Sequence, residues 1–211
     1  MSDLMSANKR FFDGKPFAEV VESSLEVFTA QSWQWDDFPA FGQLVCLESD
    51  KSILVGCVTQ VRTGSIDPMR SPFPYKKTED ELRKEQPQIF EYLKTAFTVN
   101  ILGYIDGAQE HNIKIFYQSA RYPSKIHSFV YTASYELIAL FFQKTLYLHT
   151  LFSSQLPAID EILLALLTQL SDRKLLTQKH LDDFGMTFSL LTGNDYRRLK
   201  IFLSRVQALT Q

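Results

Sequence analysis

Long apolar runs and an excess of charge of one sign are both missing from this 211-residue sequence. No stretch approaches the roughly 18 uncharged apolar residues of a membrane-spanning helix, and the amino-terminal segment lacks the apolar core of a secretory signal. The 22 Lys and Arg residues nearly balance the 24 Asp and Glu residues, which gives a net charge of -2. That balance argues against a surface built as a whole for nucleic acid or anionic membrane. We therefore expect a soluble, cytoplasmic protein without a membrane partner.

Cysteine is also scarce, since the chain contains only Cys46 and Cys57. Without a secretory signal a disulfide is not expected, and both thiols are predicted to be buried and free, acting as small apolar side chains. They lie on the two arms of one predicted hairpin. A two-residue turn would place them opposite each other, whereas a turn of three or five residues would place them on different faces of the sheet. We favour the second arrangement, which pairs Leu44 with Val58 and Cys46 with Gly56, because it packs these side chains better.

Motifs that mark nucleotide, metal and nucleophile sites are missing as well. The sequence has neither a Gly-x-x-x-x-Gly-Lys-Ser/Thr phosphate loop nor a Gly-x-Gly-x-x-Gly turn, and no serine has the flanking glycines of a nucleophile elbow. The four histidines are scattered, and no pair of Cys or His residues has metal-ligand spacing. We therefore expect no cofactor, no metal and no catalytic residue that a motif would identify. An enzyme site assembled from distant residues needs none of these motifs.

The clearest structural signal that is present is a β-hairpin in residues 42–64. Two runs rich in Val, Ile and Leu flank a turn-forming cluster at residues 49–52. Alternate residues of the first strand are predicted to face opposite ways, namely Leu44 and Cys46 against Val45 and Leu47. Neither face is polar, which is typical of strands that are covered on both sides or wrapped into a small barrel. Gly56 inside the second strand predicts a bulge or a sharp bend.

The rest of the chain predicts strands first and helices afterwards, with the boundary near Ala133. Residues 1–15 are predicted to be a loose leader. Further strands are expected in residues 17–30, 97–104, 112–118 and 125–132. A capping box at Thr78 and Glu81 predicts an inserted helical segment near residues 78–95, which is either kinked at Pro87 or divided there into two short helices.

After Ala133 the spacing of apolar residues changes to the 3.6-residue period of helices. We predict one helix that buries Leu137, Phe141, Leu148 and Phe152, a second over residues 159–170, a short one after Thr177 and a last one that opens at Asn194-Asp195. The predicted fold is therefore α+β. Residues 1–133 form a small amino-terminal β-barrel domain that contains the helical insertion, and residues 134–211 form a helical bundle.

The loop after the hairpin offers one candidate site. It is a long, irregular segment whose candidate residues are Arg62, Asp67, Arg70 and Tyr75. Two arginines beside a turn can grip a phosphate or a carboxylate. The simpler interpretation, which we favour, is that Asp67 caps a turn with Pro68 and that Arg70 pairs with it, which holds the loop against the barrel.

An aromatic connection and the last helix are two further candidate sites. Trp33 and Trp35 lie in the connection before the hairpin, where they form either a stacking platform or, as we favour, anchors that pack the connection onto the barrel. Arg197, Arg198 and Arg205 fall on adjacent stripes of the last helix. That helix therefore presents either an ordinary solvated basic face or a contact for nucleic acid.

Three short segments of the strand-rich half carry a family resemblance: Glu19-Val20-Val21, Gly42-Gln43-Leu44-Val45 and Leu54-Val55-Gly56-Cys57-Val58. Together they resemble the HAS barrel, the small β-barrel at the amino end of HerA-type DNA-translocating ATPases and of the catalytic-head subunits of ATP synthase. The resemblance covers about the first third of the chain, and it implies a barrel that joins subunits in a ring. In HerA-type proteins that ring handles DNA. The ATPase domain of the family is replaced here by a helical tail, so the resemblance implies neither motor activity nor a catalytic residue.

We therefore predict a non-catalytic assembly or adaptor module, linked to DNA-processing or ATPase complexes, that self-associates or docks to a protein partner through its barrel. One alternative is direct binding of nucleic acid through the basic last helix and the loop of residues 62–70. Another is a small-molecule binder or enzyme that uses the same loop.

The purified protein is expected neither to bind ATP with useful affinity nor to hydrolyse it, because the sequence contains no phosphate cradle. Isothermal titration calorimetry with ATP and magnesium checks the binding, and a phosphate-release assay checks the hydrolysis. Nucleotide binding in the micromolar range would contradict this prediction.

Overall fold

The computed structural model describes residues 9–50, 52–67, 69, 72–107 and 113–209, which form a mixed α+β fold. In these residues, seven strands and one short α-helix precede Ser134, and five α-helices follow it. The predicted order of strands before helices is therefore confirmed. The strands are β1 (Phe12–Ser23), β2 (Val27–Ser32), β3 (Leu44–Ser49), β4 (Ser52–Ser65), β5 (Leu93–Asp106), β6 (Lys114–Phe116) and β7 (Phe129–Ala133).

The strands form one antiparallel sheet whose hydrogen bonding returns to its start. The order is β2-β1-β7-β3-β4-β5-β6, and β2 also pairs with β5 over residues 27–31. Six strands therefore make a closed ring, and β6 is an added strand beside β5. Closing a sheet on itself pairs most of the strand edges that an open sheet would expose.

The β3–β4 hairpin has an apolar core on each of its two faces, as its sequence predicts. Its side chains inside the ring are Val45, Leu47, Leu54 and Val58. Its side chains under the carboxy-terminal helices are Leu44, Cys46, Ile53, Val55 and Cys57. All nine are buried. Since apolar burial stabilises by roughly 25 cal/mol per Å², this two-sided burial makes the hairpin the centre of the fold.

The register of the hairpin differs from the one that we favoured from the sequence, so that prediction was wrong. Ser49 pairs with Ser52, across a turn that begins at Asp50. Asp50 has a φ of 52°, in the left-handed region that Asp tolerates. As a result Cys46 and Cys57 are diagonal neighbours on the same outward face, so they are neither opposite each other nor on different faces, the two arrangements considered from the sequence. Their predicted burial is confirmed.

Gly56 marks a bulge in β4, as predicted. The register of β4 against β5 shifts between Val55 and Gly56. A Cβ at residue 56 would lie 2.4 Å from Val99 Cγ1 and 3.0 Å from the carbonyl oxygen of Asn100. Glycine therefore allows the two strands to approach each other closely at this bend.

The amino-terminal segment is more ordered than the predicted loose leader. Lys9–Phe11 forms a turn of 3-10 helix, and residues 12–15 belong to β1. Phe11 is fully buried in the core beneath the helices, and its carbonyl oxygen accepts a hydrogen bond from Cys46 Sγ at 3.6 Å. The prediction was wrong for residues 9–15 because these contacts are with distant parts of the chain. Residues 1–8 lie outside the described part.

The inserted segment is divided at Pro87, which is one of the two predicted arrangements. Helix α1 (Glu79–Glu85) begins at the predicted capping box, where Thr78 Oγ1 accepts from the Glu81 backbone and Glu81 Oε2 accepts from the Thr78 backbone. Pro87–Tyr92 is a 3-10 helix with the proline in its first turn. Because β5 begins directly afterwards, the segment ends before residue 95.

Five helices follow the last strand: α2 (Tyr135–Phe141), α3 (Tyr147–Ser153), α4 (Ile159–Asp172), α5 (Gln178–Leu191) and α6 (Tyr196–Leu209). The single helix predicted over the first two is broken, and the break lets the rings of Phe142 and Tyr147 pack edge to face at 4.6 Å. The helix predicted to be short after Thr177 has 14 residues. The predicted last helix is confirmed, with Phe202 and Val206 buried.

Helix α4 meets the ring where β3 begins. Gly42, with a φ of 79°, lies so close to the helix that a Cβ there would be 2.3 Å from Ala165 Cβ. Gln169 is hydrogen-bonded at the same point, because its Nε2 donates to the Gly42 carbonyl and its Oε1 accepts from the Leu44 backbone at 3.2 Å. The helices and the ring therefore share one continuous apolar core.

Replacing Gly56 by Ala is expected to lower the free energy of unfolding by about 1–3 kcal/mol, because Val99 and the β5 backbone have to move. Gly64→Ala is a matched control in the same strand, where an added Cβ would meet nothing within 4 Å. Its effect is expected to be small or slightly stabilising. Urea unfolding checks both variants. Equal stabilities would contradict the close approach at the bulge.

Candidate functional site

An exposed aromatic pair lies on the outer side of the ring, beside β1. Trp33, which directly follows β2, is 52% exposed, and Phe129, the first residue of β7, is 47% exposed. Their ring centroids are 5.5 Å apart and the rings meet at 89°, a favourable edge-to-face geometry. We call these two residues, together with Glu19 and His127, the Trp33 face.

Strand β1 brings the four residues together. Glu19 is paired with Phe129 across the β1–β7 ladder, and the backbone N–H of Trp33 donates to the carbonyl oxygen of Phe17 at 3.0 Å. The indole Nε1 of Trp33 donates to Glu19 Oε1, also at 3.0 Å. His127 Nδ1 lies 3.0 Å from Glu19 Oε2. One carboxylate therefore fixes the orientation of the indole and contacts the imidazole.

The Trp33 face contains residue types that are common at protein interfaces. Exposed tryptophan and phenylalanine are enriched at protein interfaces, usually beside a polar rim, and here Glu19 and His127 supply polar groups beside the rings. An indole that is already held by a hydrogen bond loses less conformational freedom when a partner binds. The Trp33 face is accordingly the best candidate for a functional site on the ring.

Trp35 lies at a different place from Trp33, so each tryptophan packs with its own neighbours. Its ring stacks on Phe90 of the inserted segment, with centroids 5.6 Å apart, and its carbonyl accepts from Thr95 Oγ1. Arg83 also contacts Phe90, because its guanidinium carbon lies 4.8 Å from the centroid of the Phe90 ring. Trp35 therefore anchors the connection, as we favoured, whereas Trp33 is exposed.

The loop after the hairpin follows the simpler interpretation at Asp67. Its Oδ1 accepts from the Met69 backbone at 2.9 Å, and its backbone N–H donates to Ser65 Oγ at 3.2 Å, so the side chain caps a local turn. Arg62 and Tyr75 are exposed. Arg70 lies outside the described residues, so the predicted binding of an anion by Arg62 and Arg70 together is not tested.

Two of the three arginines of the last helix bind acidic residues of α4. Arg198 forms a forked pair with Asp160, at 2.6 and 3.1 Å, and Arg205 forms one with Glu161, at 2.8 Å for both bonds. The hydrogen bond to Asp160 raises the pKa of Arg198, and the hydrogen bond from Arg205 lowers the pKa of Glu161. Arg197 is exposed. Much of the predicted basic face is therefore a contact between two helices.

Sequence reasoning missed Glu19, His127 and Phe129 as neighbours of Trp33. All three lie in segments predicted to be strands, but they meet only because β1 lies between β2 and β7. That pairing is non-local and has no signature in the local sequence. One available signal is Phe129 itself, an exposed aromatic residue directly before the buried Val130.

Neither a cluster of metal-ligand side chains nor a membrane-spanning helix is found in the part of the chain that the structure describes. No three His, Cys, Asp or Glu side chains in those residues are grouped closely enough to hold a metal ion. No helix formed by those residues has the length and apolar character needed to cross a membrane.

Cys46 and Cys57 are expected to resist thiol reagents in the native protein, because both are buried and burial raises the pKa of each thiol. Ellman's reagent added to native and to denatured protein checks this. Both thiols should react only after unfolding. Rapid reaction of either thiol in the native state would contradict the described packing.

Comparison with known proteins leaves the chain without an assigned family. No protein-family model matches the sequence, and no curated protein matches it.

Proposed function

We propose that this protein is a non-catalytic assembly module built on a β-barrel of the HAS type, and that its barrel binds a second copy of the chain through the Trp33 face. The observation that carries the proposal is the exposed, hydrogen-bonded Trp33 packed edge-on against the exposed Phe129. The resemblance extends the proposal to complexes that process DNA or hydrolyse ATP, in which such a module joins subunits.

The closed ring of six strands supports the barrel part of the proposal. The three segments that carry the resemblance fall at β1, at the start of β3 and in β4, and Gly56 supplies a bend of the kind that a small closing sheet needs. Large side chains, among them Phe28, Phe97 and Tyr104, fill the interior of the ring. A filled interior fits a structural barrel rather than one that encloses a ligand.

The helices cover only part of the outer side of the ring, which supports the Trp33 face as the binding surface. Helices cover the outer side chains of β3 and β4 and part of β5, including Leu102 and Ile105. The Trp33 face lies on β1 and β7 and keeps about half of each aromatic side chain exposed. Because the face carries both a carboxylate and an imidazole beside its rings, two copies related by a twofold axis can offer each other complementary groups.

The alternative of direct nucleic-acid binding receives less support. Arg198 and Arg205 already bind Asp160 and Glu161, so releasing them to phosphates would break two forked ion pairs between α4 and α6. Binding of a small molecule at the loop also receives less support. The Asp67 carboxylate already accepts a hydrogen bond from the Met69 backbone, where it caps a turn.

A variant with both Trp33→Ala and Phe129→Ala is expected to weaken self-association at least about tenfold, because exposed aromatic anchors contribute a large share of interface free energy. Sedimentation velocity over a concentration series measures the change. Wild type is expected to shift to a larger species as concentration rises, and the double variant is expected to stay monomeric over the same range.

Tyr196→Ala is the matched control, because Tyr196 is 74% exposed but lies on the last helix. It should associate like wild type. Melting temperatures of all three proteins show whether the folds are retained. A wild type that stays monomeric at every concentration, or a double variant that associates as strongly as wild type, would refute the assembly proposal.

A further inference from the structure

A concave site lies among the helices, and none of its lining residues belongs to the Trp33 face. It is a cavity of about 600 Å³ between the turn that joins α2 to α3 and the first turn of α5. That volume falls within the roughly 300–1,000 Å³ typical of small-molecule sites. The residues that determine its chemistry are Ile138, Phe142, Lys144, Leu175, Lys179 and His180.

The floor of the cavity is apolar and its rim is cationic. Phe142 is almost fully buried, whereas Leu146, which is 44% exposed, and the half-buried Leu175 keep apolar surface at the cavity. Lys144 and Lys179 are exposed at the rim. Among the residues that the structure describes, neither ammonium group has a carboxylate within ion-pair distance.

His180 contributes a buried polar group to the lining of this cavity. The residue is 8% exposed, and its Nε2 is buried with no hydrogen-bond partner in the described part of the chain. Its backbone N–H is bound by the capping Thr177 Oγ1 at 3.2 Å. Burial lowers the pKa of the imidazole, and the nearby Asp183 carboxylate opposes this effect. Buried polar groups without a partner cost free energy and are uncommon in folded proteins.

The local balance of charge favours an anionic ligand. Two lysines line the cavity against the single carboxylate of Asp183, although the whole chain carries a net charge of -2. Lys179 and His180 also belong to the first turn of a 14-residue helix, whose positive end attracts negative charge.

We propose that this cavity binds a small organic acid with an aliphatic tail. The carboxylate lies between Lys144 and Lys179 at the amino end of α5, and the tail packs against Leu146 and Leu175. An inorganic anion would leave the apolar surface of Leu146 exposed to water, and an uncharged molecule would form no ion pair with either lysine. This proposal is independent of the assembly proposal, since it uses different residues.

Titration calorimetry with octanoate at neutral pH and low salt tests the site. Octanoate is expected to bind the wild-type protein, and Lys144→Ala combined with Lys179→Ala is expected to weaken binding by about tenfold or more, because two charge-assisted contacts are lost. Lys200→Ala removes an exposed lysine that does not line the cavity, so it should change the affinity less than twofold. Acetate, which lacks the tail, should bind much more weakly than octanoate.

A second readout locates the ligand. Octanoate should shift the NMR signal of the His180 imidazole, which is assigned by its loss in His180→Gln, and should leave the signal of the exposed His127 of the Trp33 face unchanged. The proposal is overturned if octanoate does not bind at millimolar concentration, if the double lysine variant binds as tightly as wild type, or if acetate binds as tightly as octanoate. Self-association measured in the same samples separates failure of this site from failure of the Trp33 face.

Discussion

The two-sided burial of the β3–β4 hairpin is the constraint on which the rest of the structure depends. Its inner face needs the other strands of the ring to cover Val45 and Leu54, and its outer face needs the helices to cover Leu44 and Val55. Helix α4 meets this demand where Gln169 is hydrogen-bonded to the backbone at the start of β3. Because the helices pack mainly on β3, β4 and β5, parts of the outer sides of β1 and β7 remain exposed at the Trp33 face.

Local features of the fold could be predicted because their causes are local. The alternation in β3, the bulge at Gly56 and the capping box at Thr78 each depend on a few neighbouring residues, and all three are confirmed. The hairpin register was wrong because several turn positions fit the cluster around Asp50 and the choice depends on packing from both sides. The site was only half predictable for the same reason. Trp33 was identified, but Phe129 reaches it through strand pairing that the sequence does not encode locally.

Charge on the helices illustrates the same limit. The sequence shows a basic stripe on the last helix, yet Arg198 and Arg205 hold α6 to acids of α4. Lys144 and Lys179 are far apart in sequence and were not predicted to form a site, but the fold places both at one cavity. Whether a cation is available for a ligand is therefore decided by tertiary partners. Arg198 and Arg205 are paired with acidic residues of α4, and our ligand proposal therefore uses Lys144 and Lys179 instead.

Hydroxyl-radical footprinting of the protein at low and high concentration tests the assembly account most directly. If a second copy covers the Trp33 face, oxidation of Trp33 and Phe129 should fall as concentration rises. Oxidation of Tyr196, which is exposed on the last helix, should not change. Equal oxidation of Trp33 at all concentrations, together with protection of a different surface, would contradict the account.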